Sequence, residues 1–158
     1  MNGKFQWKKL LIALAVPLAV GTLASLITGE SVLDYAAVQK PPLSPPGWVF
    51  PIVWSVLYAL MGLASWLVWV SAASRQRVRS ALILYGLQLA VNFFWPIIFF
   101  ALKLYFAAFL WLLLLWALVA ACTLRFIYIR KGAGIIMLPY LLWLGFAAYL
   151  NMGVYLLN

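Results

Sequence analysis

The chain has 158 residues, of which 68% are hydrophobic and 8% charged, with a net charge of +9 and a mean hydropathy of +1.09. That leaves too few polar residues to cover a water-soluble domain of this size. There is no histidine, and the only carboxylate side chains are Glu30 and Asp34. His-ligated haem or zinc, a histidine general base and ordinary hydrolytic chemistry therefore have almost nothing to run on, and no metal and no cofactor are expected.

The apolar residues come in charge-free windows at 10–29, 41–74, 80–102, 104–124 and 132–158. Each reaches the roughly 20 residues needed to cross a hydrocarbon core as a helix. Lipid offers no partner to backbone N–H and C=O groups, so spans must be helices or a closed barrel. Continuous runs such as 109–119 lack the alternation of barrel strands. The fold expected is an all-α membrane protein, a bundle of five transmembrane helices forming one domain over 1–158.

Helix 1 is expected over 8–28 as a retained span; its apolar run is long for a signal peptide, and Ser25-Leu26-Ile27 is a poor cleavage site. The connection 29–47 holds both acids and ends in Lys40-Pro41-Pro42-Leu43-Ser44-Pro45-Pro46-Gly47, whose prolines impose an extended chain. Helix 2 follows over 47–71, then a basic turn at 75–79. Helix 3 spans 80–102, and a short turn at Lys103 brings helix 4, over 104–128, back antiparallel beside it. Residues 130–134 make the last turn, and helix 5 covers 133–157.

This topology puts Lys4, Lys8, Lys9, Arg75, Arg77, Arg79, Arg125, Arg130 and Lys131 on one side, and only Lys40 and Lys103 on the other. The asymmetry predicts a cytoplasmic N-terminus. The cations read as orientation signals and contacts to membrane lipids, not as a nucleic-acid surface. Trp7, Trp48 and Tyr128, near span ends, suit an interfacial belt. The lone Cys122 lies within helix 4. That helix carries no amide and is expected to face mostly lipid.

Polar and aromatic residues gather on three helices. Phe50, Trp54 and Tyr58 form a stripe on helix 2. Gln88, Asn92, Trp95 and Phe99 share a face of helix 3, and Tyr140, Trp143, Ala147 and Asn151 share one of helix 5. Uncharged amides in a membrane point inward. Such faces suit either a lumen for a flat, largely apolar ligand or bundle packing with amides bonded between helices. Trp54 and Trp143 are each expected roughly 12–17 Å from their own membrane face at helical rise, deep enough to sandwich a planar ring. Gly86 and Ala90 form a small-x-x-x-small pair that predicts a homodimer through helix 3, and Gly21, Ser25 and Gly29 offer a second on helix 1.

From Tyr35 onward the segments resemble the translocator protein family, also called TspO/MBR or tryptophan-rich sensory proteins. The likeness rests on Lys40-Pro41 through Pro45-Pro46, then Phe50, Val53-Trp54, Leu57-Tyr58, Met61-Gly62 and Ala64-Ser65. Helix 3 adds Gln88-Leu89, Asn92 and Trp95, and helix 5 adds Pro139-Tyr140, Trp143, Phe146-Ala147 and Leu150-Asn151. Asp34-Tyr35 stands where the family has Trp-Tyr, and Leu43 replaces a loop aromatic. Tyr155 is followed by Leu156, Leu157 and Asn158 with no cation, so the cholesterol-type pattern of animal members is not matched.

The resemblance implies a pocket opening toward the long first loop, with porphyrin or haem-like ligands. Its candidate residues are Tyr35, Pro41, Trp54, Asn92, Trp95, Trp143, Ala147 and Asn151. The family implies sensing, transport or stress regulation. Its bacterial members imply an alternative, light-dependent protoporphyrin breakdown, with Trp54 and Trp143 as the catalytic candidates. A structural membrane protein without a small ligand is a third reading.

Overall fold

The computed structural model describes residues 6–34 and 37–158, with the side chains of 30–34 left aside. It contains five helices long and apolar enough to cross a membrane. They are α1 (Trp7–Asp34), α2 (Val49–Trp69), α3 (Arg75–Pro96), α4 (Tyr105–Ile129) and α5 (Lys131–Leu157). Most boundaries lie close to expectation, and the exceptions have physical causes. With 28 residues, α1 is about 42 Å long at helical rise, longer than a core of roughly 30 Å. No proline interrupts 29–34, so the helix continues past the apolar window. The basic segment 75–79, expected as a turn, forms the first turns of α3. A charged helix end needs no lipid around it. The last connection shrinks to one extended residue, Arg130, with φ −154° and ψ 106°.

Pro96 ends α3. It has no N–H to give the Asn92 carbonyl and its ring crowds that group. The chain then widens into a π turn at Ile97–Ala101, where the Leu102 N–H bonds the Ile97 carbonyl at 3.0 Å. Lys103, with φ 55°, reverses direction into α4. The tight turn expected there is present.

Principal packing runs α1 on α2, α2 on α5, α5 on α4, α4 on α3 and α3 on α1, so the five helices close into a ring. Its centre is a core that includes Met61, Val68, Leu112, Leu115, Val119, Phe126, Met137 and Leu144. Pro17, inside α1, cannot donate to the Ala13 carbonyl. That oxygen instead faces Gly62 of α2, where an added Cβ would lie 2.7 Å from it and 2.8 Å from Leu14 Cα. A residue without a side chain is what allows this close crossing.

Helix 4, expected to face mostly lipid, also carries a packed face. A third (33%) of the α4 span is buried, against 17% of α1. α4 lies along both α5 and α3, and α1 has the smallest buried share of the five spans.

Candidate ligand site

The amide-bearing faces of α2, α3 and α5 meet in one buried network. Tyr58 Oη donates to Asn92 Oδ1 at 2.7 Å, and Asn92 Nδ2 donates to Tyr140 Oη at 2.7 Å. Tyr140 Oη in turn donates to Gln88 Oε1 at 3.1 Å. Each hydroxyl spends its single proton once, so the donor pattern is self-consistent. Gln88, Asn92, Tyr58 and Tyr140 are all buried. Away from water, unmade bonds here would be costly, which explains why one face of each helix carries these residues.

A second polar layer lies nearer the loop end. Trp95 Nε1 donates to Asn151 Oδ1 at 3.2 Å, and Asn151 Nδ2 donates to the Tyr105 carbonyl at 2.8 Å. Trp95 stacks on Phe99 at 5.3 Å, and Phe99 meets Tyr105 at 5.2 Å. Between the layers sits Trp54, its ring 5.6 Å from Tyr58, 6.2 Å from Tyr140 and 6.4 Å from Trp95. Trp54, Trp95 and Trp143 are all half-buried.

Trp54 and Trp143 pair with other rings than one another. Trp54 meets Tyr140 of α5, whereas Trp143, one turn further on, meets Phe50 of α2 at 6.1 Å and Phe146 at 5.5 Å. The antiparallel α2–α5 seam is thus lined by two offset aromatic steps. The Trp143 Nε1–H is buried and has no acceptor among the described residues.

The loop closes over the end of α5. Pro41 is buried against Gly153, where a Cβ would collide with the proline ring. Asn158 grips the Gln39 backbone from both sides, its Oδ1 accepting from Gln39 N at 3.1 Å and its Nδ2 donating to Gln39 O at 3.0 Å. Tyr149 Oη donates to the Pro42 carbonyl at 2.7 Å. Leu43, in the left-handed region with φ 66°, points away and is exposed.

Of the expected site residues, Trp54, Asn92, Trp95 and Asn151 come together in these layers. Trp143 and Ala147 lie on the α5 face, the latter buried. Pro41 is part of the loop cover, and Tyr35 lies outside the described residues. Tyr58, Gln88 and Tyr140 belong to the centre although only their stripes, not they, were singled out as site residues. The usable signal was that hydroxyls and amides on one buried face need each other. Phe99, on the expected face of helix 3, joins them from the π turn, whereas Tyr105 and Asn158 join through the turn and the loop, which periodicity does not encode.

Residues 13–157 match the TspO/MBR family. The chain is 36% identical over 152 residues to the tryptophan-rich protein TspO of Archaeoglobus fulgidus, covering 95% of this chain and 97% of that one. It is 36% identical over 152 residues to the tryptophan-rich sensory protein of Cereibacter sphaeroides, covering 96% and 92%. It is 40% identical over 127 residues to the translocator protein of Ovis aries, covering 79% and 75%. The likeness runs through every span, and the motifs on α2, α3 and α5 are the ones that meet in the polar layers: this chain belongs to the TspO/MBR family of multi-pass membrane proteins.

Proposed function

We propose that this protein binds a tetrapyrrole, a porphyrin or haem-like ring, along the aromatic α2–α5 seam beneath the loop, and that binding serves sensing, transport or stress regulation in a bacterial cell membrane. The observation that carries this reading is the buried Trp143 Nε1–H without an acceptor, set beside the half-buried indole of Trp54. Buried donors are normally paired, and a polar edge of a planar ligand would satisfy this one while its faces lie against Phe50 and Trp54. The amides of Asn92 and Asn151 are engaged within the bundle, so Trp143 is the donor that contacts the ligand first.

The test is a Soret titration of purified protein with protoporphyrin in the dark. An aromatic contact contributes about 0.5–1.5 kcal/mol beyond area burial, and satisfying a stranded donor contributes a comparable amount. Trp143→Phe should therefore weaken binding about tenfold or more, and Trp54→Phe several-fold. Trp116→Phe is the control, because that indole is 42% exposed on α4. Trp111 is unsuitable as a control, since its Nε1 donates to the Val91 carbonyl at 2.8 Å. Equal affinity in all four proteins would refute the site, and absence of saturable binding would leave a structural role.

A second reading, light-dependent protoporphyrin breakdown carried by Trp54 and Trp143, is favoured by the three oxidisable rings within 6.4 Å of Trp54. Soret loss in light, absent in the dark and absent in both tryptophan variants, would support it.

A further inference from the structure

Away from the aromatic seam, the end of the bundle where α1 and α3 begin holds a groove of about 600 Å³, within the range of ligand pockets, roughly 300–1,000 Å³. It is lined by Lys9, Trp69, Ser71, Arg75, Arg79 and Ile83. Arg75 and Arg79 stand one turn apart on α3. Lys9 holds its Nζ 5.4 Å from the centroid of the Trp69 ring, which keeps an ammonium at the mouth. The carboxylate-bearing residues, Glu30 and Asp34, lie on α1 about 30 Å or more from Lys9 at helical rise. Three cations therefore converge with no carboxylate of this chain near enough to neutralise them.

Two further features face the same mouth. The Ser71 Oγ lines the groove, is buried and has no hydrogen-bond partner among the described residues; buried hydroxyls are normally paired. Ser74 makes no side-chain cap on α3. The first N–H groups of a 22-residue helix, and the positive end of its dipole, are left available at Arg75.

We propose that this groove binds a phosphate-bearing anion, with Lys9, Arg75 and Arg79 on its charged oxygens and Ser71 donating one hydrogen bond. Arginine suits phosphate because its planar fork of donors matches the oxygens. Val78, Leu82 and Ile83 continue the α3 lining as an apolar strip, and Ile83 is 61% exposed. That strip favours an anionic phospholipid, whose acyl chain lies along it; a free phosphate ion would use the basic half alone.

The test measures lipid retained by the full chain in mild detergent by native mass spectrometry, with phosphatidylglycerol or phosphatidylcholine added. Phosphatidylglycerol should be retained preferentially. Arg75→Gln with Arg79→Gln should lower its retention about tenfold or more, since each cation near an anionic lipid contributes substantially. Ser71→Ala, which removes only a hydroxyl and keeps the fold intact, should lower it several-fold. Arg125→Gln with Arg130→Gln removes equal charge from the same end outside the groove and should leave retention near the parental level.

Excess inorganic phosphate added as competitor separates the two sources. Failure to displace the lipid assigns a headgroup site, and displacement assigns a free-phosphate site in the same groove. Equal retention of both lipids by the parent overturns the proposal. So does unchanged retention in the Arg75/Arg79 and Ser71 variants, or an equal fall in the Arg125/Arg130 pair.

Discussion

Replacing Tyr140 by phenylalanine tests whether the central polar network holds the bundle together. The Tyr140 hydroxyl accepts from Asn92 at 2.7 Å and donates to Gln88 at 3.1 Å, so its removal strands one N–H and one carbonyl oxygen. Tyr58→Phe strands only Asn92 Oδ1, which loses its 2.7 Å donor. Interhelical hydrogen bonds in membranes average about 0.6 kcal/mol by double-mutant cycles, while a buried group left without a partner costs roughly 1–3 kcal/mol. The sites are buried and both rings remain in place, so cavity terms are small. Tyr58→Phe should then cost about 0.6–1.5 kcal/mol, and Tyr140→Phe about twice that. The assay is denaturant unfolding in detergent followed by helical circular dichroism. In the Tyr58→Phe/Tyr140→Phe double variant the two losses should be non-additive, because both act through Asn92. If Tyr140→Phe cost no more than Tyr58→Phe, or the two added independently, the network would not be the unit described.

Gly62→Ala should destabilise the protein by about 1–3 kcal/mol, because the new methyl meets the backbone of α1 at 2.7–2.8 Å. Gly145→Ala, whose nearest neighbour is Trp116 Nε1 at 3.8 Å, should instead stabilise by up to about 1 kcal/mol through helix propensity; thermal melts in detergent read both. Leu43→Cys should react with an impermeant maleimide on intact cells and Ser74→Cys only after permeabilisation, with buried Cys122 silent; labelling of both from one side would refute the proposed orientation. The homodimer we propose through α3 uses Gly86, which has nothing within 4 Å, whereas Gly21 is committed to the Tyr58 ring. Gly86→Leu should shift the detergent-solubilised mass toward monomer by light scattering, and an unchanged mass would count against that interface.

The number of spans and their approximate positions are legible in the residues, because lipid cannot pair a backbone and only a long apolar helix satisfies its own. The polar stripes on helices 2, 3 and 5 are legible for a related reason: amides and hydroxyls avoid hydrocarbon and turn toward each other. What lies outside the lipid is less constrained by this logic, so α1 runs six residues past its expected end and the segment 75–79 is helix.

Tertiary structure alone decided which helix faces outward. An apolar residue packed on a neighbour and one facing lipid are chemically alike, and hydropathy therefore did not separate the packed α4 from the peripheral α1. It also decided that Trp54 meets Tyr140 while Trp143 meets Phe50. Spacing sets the face of a helix on which a ring stands, but the axial offset between antiparallel helices sets which ring it touches. The same holds for the close α1–α2 crossing of Gly62 on the Ala13 carbonyl, and for the π turn after Pro96 that leads α3 into α4. Both depend on two segments fitting against one another, which no single segment's sequence specifies.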